Sequence, residues 1–267
     1  MPNVVDEMNL RTMRSGSIVD FYTERTGLLL HERAALRQVA GAARGNAILD
    51  LGVGGGRTVK PLLKVSENYL GIDYSPEMIA ACKLRFPQQR FALGDARELS
   101  MIPDESVFLV NFGWDGICMV SHEDRLKILR EIFRVLQPGG VFLLTTYNQD
   151  CPVESAGFCF PEFDFSKHPV KLAREMLRFG SATFSRIRNW TRNRRFSIRL
   201  PEYSLINDRS HDYSVMLYYI SVARQRQQIE ALGYAPGALA YGEDGKLIQG
   251  VYRGRDFAML AHKPQRS

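Results

Sequence analysis

Ile48-Leu49-Asp50-Leu51-Gly52-Val53-Gly54-Gly55-Gly56-Arg57-Thr58 decides the fold. Residues 47–52 form an apolar run that stops at a glycine, as a buried strand does before a turn. Three more glycines follow, then a helical stretch to about Lys64. Strand, glycine turn and helix in that order build the crevice where open α/β sheets bind ligands. Downstream the rhythm repeats. Asn68–Asp73 reads as a second strand, and Ser75, Pro76 and Glu77 then start a helix as cap, first residue and first-turn acid. Phe91–Asp95 and Ser106–Phe112 read as the third and fourth strands. Ser121 caps a helix with Leu126, Ile128, Leu129, Ile132, Phe133 and Leu136 at helical spacing; Pro138-Gly139-Gly140 punctuates before a fifth strand, Val141–Thr146. The strands are uniformly apolar rather than alternating, which predicts a parallel sheet covered on both faces.

The pattern breaks near Asn148. From Cys151 to about Asp212 the chain is aromatic and basic, interrupted by Pro152, Pro161, Pro169 and Pro201. A strand-like run returns at Tyr213–Ile220, Ser221 caps a helix ending at Gly233, and Asp256–His262 reads as the last strand. The expected organisation is an N-terminal helical cap or flap over 1–35 and an α/β core over 36–150. A basic, lid-like insertion over 151–212 follows, and 213–267 completes the core. Within the insertion, Ala173, Met176, Leu177, Phe184, Ile187 and Trp190 recur every three or four residues, predicting two amphipathic, cationic helical pieces broken at Phe179-Gly180-Ser181.

Composition narrows the class. The 267 residues are 45% hydrophobic and 24% charged, ordinary values for a globular protein with a full core. No stretch approaches the roughly 20 apolar residues of a membrane span. The first residues lack the apolar core of a signal peptide, so a cytoplasmic location is expected. Cys82, Cys118, Cys151 and Cys159 form no C-x-x-C pair, and no histidine stands at zinc-finger spacing, so no metal is expected. The net charge of +6 is unevenly distributed. Between Ser166 and Leu200 ten basic residues face one acid, Glu175, a net +9; the other 232 residues therefore sum to −3.

The glycine turn does not suit a dinucleotide. Spacing that begins at Gly52 would need glycine at 57, where Arg57 stands, and Asp50 precedes the first glycine by two residues. A pyrophosphate docks on a helix N-terminus through its negative charge, which a neighbouring carboxylate repels. S-adenosylmethionine, with an ammonium, a sulfonium, a ribose and an adenine but no phosphate, suits the same acid. Asp73 closes the second strand 21 residues after Gly52, placed to accept from ribose hydroxyls. Asp95 follows the third strand; its carboxylate is placed for the adenine amino group, and the Ala96 N–H for a ring nitrogen.

ILDLGVGGGRT, YLGIDYSPEMI, ALGDARELS, SHEDRLKILREIFRVLQPGGVFLLTTYN and YYISVARQRQQIEALGY together resemble the class I S-adenosylmethionine-dependent methyltransferases, of the generic bacterial small-molecule type. The resemblance covers 36–150 well, 216–262 loosely, and implies little for 151–210. It implies a Rossmann-like, doubly wound, mostly parallel seven-stranded α/β sheet with a basic, largely helical insertion after strand five. It also implies that Asp50, Gly52, Gly54 and Gly56 form the cofactor turn, that Asp73 and Asp95 are the ribose and adenine acids, and that Tyr74 and Phe112 belong to the cofactor-binding set. FGWDGICMV after the fourth strand lacks the N/D-P-P-Y/F sequence of many enzymes methylating nucleobase or protein amide nitrogens.

The expected activity is transfer of a methyl group to the O or N of a small-molecule acceptor, releasing S-adenosylhomocysteine. Such a displacement needs alignment and exclusion of water, with a general base only for an acceptor that carries a proton. Phe112, Trp114, Asp115, Tyr147 and Asn148, beyond strands four and five, are the expected floor of the acceptor pocket. His211, Tyr147 and Asn148 are the candidate catalytic residues. His122 competes with His211, though directly after the Ser121 cap it reads as part of a first helical turn. Tyr22 is placed to close a flap over the cofactor, its ring face toward the sulfonium. The basic insertion admits four readings: a lid with a solvated basic face, a lid gripping an anionic acceptor, peripheral attachment to anionic lipid, or nucleic-acid binding. The last is disfavoured because no nucleic-acid module accompanies the charge. The alternative function is a non-catalytic S-adenosylmethionine-binding regulatory or scaffold protein that holds a partner through the insertion.

Overall fold

A computed structural model describes residues 4–152, 157–163 and 169–266. Its centre is a parallel sheet, β1 (Ile48–Leu51), β2 (Tyr69–Asp73), β3 (Phe91–Leu93), β4 (Val107–Phe112) and β5 (Leu136–Tyr147), in the spatial order β3-β2-β1-β4-β5. The last strand, β10 (Asp256–His262), pairs antiparallel with β5, and β9 (Leu239–Gly242) pairs antiparallel with β10. These seven strands are the doubly wound sheet. All four residues of β1 are buried, as a strand covered on both faces requires. Helices α3 (Leu30–Ala43), α4 (Val59–Leu63), α5 (Pro76–Arg85), α6 (His122–Val135) and α8 (Val222–Glu230) accompany it. Ser75, Ser121 and Ser221 each accept a backbone N–H of the helix they precede. The expected boundary at 35/36 falls inside α3.

Two details differ from the sequence reading. Pro138-Gly139-Gly140 does not precede β5 but lies within it, at an irregularity where β4 pairing jumps from Val107–Leu136 to Leu109–Val141. Gly139, at φ +76°, carries the left-handed residue that such a bulge needs. The helical part of the insertion is one continuous helix, α7 (Pro169–Asn193), not two pieces. Gly180 is accommodated inside it, since a lone glycine costs only about 1 kcal/mol against the hydrogen bonds of 25 helical residues.

Two strands that the insertion reading missed, β6 (Ile198–Arg199) and β7 (Ser204–Asp208), follow α7, and β8 (Val215–Tyr219) stands where the run Tyr213–Ile220 reads as a strand. They form an antiparallel extension joined to the end of β5 through Tyr147–Tyr219. The N-terminal helices α1 (Val4–Met13) and α2 (Gly16–Glu24) lie over this junction. Buried Asn9 stitches α1 to β8: its amide donates to the carbonyls of Met119 (2.7 Å) and Met216 (2.8 Å) and accepts from Met216 N (2.9 Å). Among the described residues no helix is long and apolar enough to cross a membrane.

Candidate active site

A cavity of about 650 Å³ opens where the C-terminal ends of β1, β2, β3 and β4 meet the N-terminal helices and the loop before β8. This is the crevice expected of a doubly wound sheet. Its first wall is the glycine turn. Gly52 (φ +60°) and Gly54 (φ +52°) hold left-handed backbone that L side chains resist. A Cβ on Gly52 would lie 2.6 Å from the Phe112 ring, and one on Gly55 would lie 2.5 Å from Thr23 N. The turn is therefore packed between β4 and the end of α2. Tyr22 of α2 lines the same cavity.

Asp50 borders the cavity but its carboxylate is committed elsewhere. It accepts from Thr58 Oγ1 (2.5 Å), Tyr69 Oη (2.8 Å) and Asn111 Nδ2 (2.7 Å), and is 1% exposed. Burial pushes its pKa up, and these three donors oppose the rise. It orders the start of α4 against β1 and β4. Asp73 is different. Its Oδ2 accepts from Gly54 N (2.8 Å) and its Oδ1 from Ser75 N (2.9 Å). The Tyr74 N–H adds a third backbone donor, and since a carboxylate has about four acceptor positions, capacity remains at the cavity. Burial raises its pKa to about 6, against the pull of the backbone N–H groups. The neighbouring Tyr74 also borders the cavity.

Asp95 and Ala96 line the far end. Both Asp95 oxygens are held by Arg97 (3.0 Å from Nε, 2.6 Å from Nη2), and Arg97 also pairs with Asp6 of α1 and Asp124 of α6. The acid thus ties the N-terminal cap to the loop after β3. Arg57, the residue that broke the dinucleotide spacing, forms a buried bidentate pair with Glu32 (2.7 and 2.6 Å) and donates to Gly27 O (2.7 Å). Glu32 Oε1 accepts from Trp114 N (2.9 Å), and the Arg57 guanidinium lies 5.0 Å from the Trp114 ring centre. Burial would raise the Glu32 pKa, but Arg57 and the backbone donors outweigh it and hold it low. Neither member of this clamp was singled out as a site residue from sequence.

The opposite end is aromatic. Tyr22 lies edge-on to Phe21 (5.4 Å between ring centres) and Trp114 (5.1 Å), and its hydroxyl is 3.4 Å from His211 Nε2. Trp114 and Asp115 (φ 46° and 56°) and His211, Asp212 and Tyr213 (φ 48°, 54° and 60°) all hold left-handed backbone, a cost tolerated where structure overdetermines it. Helix α7 supplies that constraint on the second loop. Arg186 pairs with Asp212 (2.7 Å), Asn189 donates to Asp212 O (2.9 Å), and Asn193 to Tyr213 O (3.0 Å). Asp115 is 3% exposed, and its Oδ1 has no hydrogen-bond partner among the described residues. Burial, with Asp256 and Glu32 adding, raises its pKa well above the usual carboxylate range, against Arg255 and Arg57. Burial lowers the His211 pKa, leaving a neutral imidazole near pH 7.

Tyr147 lines the cavity, stacked on Tyr219 (5.1 Å), with Arg255 over its ring (5.3 Å). Burial, Asp115 and Asp208 raise its phenol far above the ordinary value, so it stays protonated. Asn148 does not belong to the site. Its Nδ2 donates to Tyr252 O (2.9 Å) and Gly254 O (2.8 Å), its Oδ1 accepts from Asp150 N (3.1 Å), and it is absent from the cavity wall. It holds the end of β5 to the segment before β10, because β-strand side chains alternate and its neighbour Tyr147 takes the inward position. His122 is also remote, bonded to Tyr218 Oη (2.8 Å) and stacked on Tyr203 (4.1 Å). The described basic residues of 167–199 do not line the cavity, and Lys167 lies outside the described residues. Among the described residues no three His, Cys, Asp or Glu side chains converge as a metal site requires.

S-adenosylmethionine fits these residues: a glycine turn a side chain would fill, a buried acid with spare acceptor capacity, and an enclosed aromatic end. Comparison with known proteins agrees. Residues 49–144 match the family model described as a methyltransferase domain. A probable S-adenosylmethionine-dependent methyltransferase of Mycolicibacterium smegmatis is 33% identical over 115 residues, 42% of either chain. A ubiquinone biosynthesis O-methyltransferase of Psychrobacter cryohalolentis is 31% identical over 40% of this chain and 42% of its own. The chain thus spans about two fifths of the length of the curated relatives it matches. Among solved structures, the CcbJ methyltransferase of Streptomyces caelestis superposes with a TM-score of 0.61 at 15% identity, over 93% of this chain and 96% of that one.

Proposed function

We propose that this chain, which carries a class I S-adenosylmethionine-dependent methyltransferase domain, methylates the oxygen or nitrogen of a small aromatic molecule. One observation carries the reading: a single cavity joins the glycine turn and Asp73 to an aromatic end containing a buried carboxylate, Asp115, whose Oδ1 has no hydrogen-bond partner among the described residues. When bound, S-adenosylmethionine supplies a methyl group on a cationic sulfur, which the acceptor takes by in-line displacement, leaving S-adenosylhomocysteine. Asp73 binds the ribose hydroxyls, Asp95 and Ala96 stand at the adenine end, and Gly52–Gly56 let the backbone approach. Tyr74 and Phe112 supply apolar surface to the cofactor. Phe21, Tyr22 and Trp114 hold the acceptor ring and exclude water. The ubiquinone-pathway relative, named for an O-methylation, supports a ring hydroxyl as one acceptor class.

Asp115 takes the acceptor proton. Burial, with Asp256 and Glu32 nearby, raises its affinity for a proton, the direction that a base needs. His211 orients Tyr22 and is the second proton acceptor in reach. Tyr147, held protonated, donates to the acceptor rather than serving as base.

The test pairs binding with turnover. Asp115→Asn suits the left-handed backbone at 115. It should keep S-adenosylhomocysteine affinity within about twofold, yet lose roughly a hundredfold in kcat, the scale of a lost general base. If Asp115→Asn and His211→Ala both keep turnover within a few-fold, neither residue is the base. Absence of any S-adenosylmethionine binding by calorimetry would refute the whole reading, while binding without turnover on any acceptor would favour a regulatory S-adenosylmethionine-binding protein.

A further inference from the structure

Helix α7 presents an apolar stripe that no described residue covers. Val170, Leu177, Phe184 and Ile187 lie on one side, with Ala173, Gly180 and Thr191 completing a three-four alternation along the helix. Leu177 is 76% exposed and Phe184 67%. The opposite side, carrying Arg186, Asn189 and Asn193, is the one bonded to the 211–213 loop. Beside the stripe run Lys171, Arg174, Arg188 and Arg192, none in an ion pair among the described residues. Arg194 and Arg195 continue the charge past the helix end. An apolar band flanked by a basic band, on a helix fixed to the body by its third side, has the design of a helix lying in a bilayer surface.

We infer that α7 docks the protein on an anionic lipid surface. The three-four spacing would also suit a second copy of the helix, but charge decides between them. In an antiparallel pair Arg174 and Arg188 would meet their own kind, and the one acid of α7, Glu175, is already bonded to Arg178. Anionic headgroups complement the basic band, and acyl chains take up Leu177 and Phe184. Docking would seat the bilayer against the helix that holds the His211 loop at the cavity wall. The inference does not depend on the proposed reaction, because its test uses neither cofactor nor acceptor.

The experiment is co-sedimentation of the full chain with phosphatidylcholine vesicles, with and without phosphatidylglycerol. Binding is expected only to the anionic vesicles and should fall steeply when salt shortens the Debye length to a few ångströms. Leu177→Ser with Phe184→Ser should weaken it by roughly a hundredfold, the two buried side chains counting about tenfold each. Arg188→Gln with Arg192→Gln should weaken it by more than tenfold, at about fivefold per charge. All four residues lie outside the cavity, so affinity for S-adenosylhomocysteine should not change and serves as the check on folding. Failure to bind anionic vesicles, wild-type binding by both double variants, or a dimer in sedimentation velocity that Phe184→Ser dissolves would each overturn the inference.

Discussion

Asp73 ties cofactor binding to pH in a way that can be measured proton by proton. In the free protein burial holds its pKa at about 6. Ribose hydroxyls donate to the charged form, so a bound nucleoside pulls that pKa back toward the ordinary carboxylate range. The sign follows: binding favours the deprotonated acid, and affinity rises with pH up to about 6 and then levels. A return of about two pH units corresponds to roughly a hundredfold gain in affinity between the acid limit and the plateau. At pH 6 about half the free molecules carry the proton, so binding of S-adenosylhomocysteine should release about half a proton, and at pH 8 almost none. Titration calorimetry in two buffers of different ionisation enthalpy reads this directly. Asp73→Asn should abolish the buffer dependence, whereas His211→Ala should leave it. Equal heats in both buffers at pH 6, or proton release that persists in Asp73→Asn, would refute the assignment.

Three further outcomes follow from the packing. Arg57→Met leaves Glu32 charged and buried, so it should lower unfolding free energy by about 3–5 kcal/mol, and the double variant with Glu32→Met should recover most of it; urea titration compares them. Gly55→Ala drives a Cβ into the backbone of Thr23. It should lift α2 from the turn, raising the Kd for S-adenosylhomocysteine and exposing residues 4–24 to limited proteolysis, and an unchanged proteolysis pattern would contradict the closed arrangement. Asn148→Ala removes the donor to two half-buried carbonyls and should cost about 1–2 kcal/mol of stability, while kcat of the folded fraction stays within twofold.

What the sequence makes legible here is what depends on local order along the chain. The runs read as ending at Gly52, Asp73, Asp95 and Phe112 stop where buried strands must stop, and the ligand crevice follows from where those ends gather. Serine caps at 75, 121 and 221 are equally local, and all three form. The misses share a different cause. Arg57 and Glu32 stand 25 positions apart and each reads as an ordinary surface charge, yet they are buried against each other. Arg125 falls among the polar positions of α6 but is fully buried, donating to Ile117 O, Thr146 and Gln225. No period in the sequence separates such a pair from solvated charge, because the partner is set by tertiary contact. Asn148 fails by one position, since in a strand adjacent residues point opposite ways and β5 runs further than its apolar core suggests.

The basic segment meets the cavity through an intermediate layer of residues. Its charge is concentrated beside the cavity, as the sequence reading expects. Arg186, Asn189 and Asn193 hold Asp212 and Tyr213, whose left-handed backbone aims His211 at Tyr22. Charge on α7 therefore has two separable duties. Arg186 faces inward and fixes the 211–213 loop, while Arg188 and Arg192 face outward with Phe184. Replacing Arg186 with Gln should lower kcat with little change in vesicle binding. Replacing Arg188 and Arg192 should do the reverse, and a variant set in which the two effects move together would show that the helix is not divided in this way.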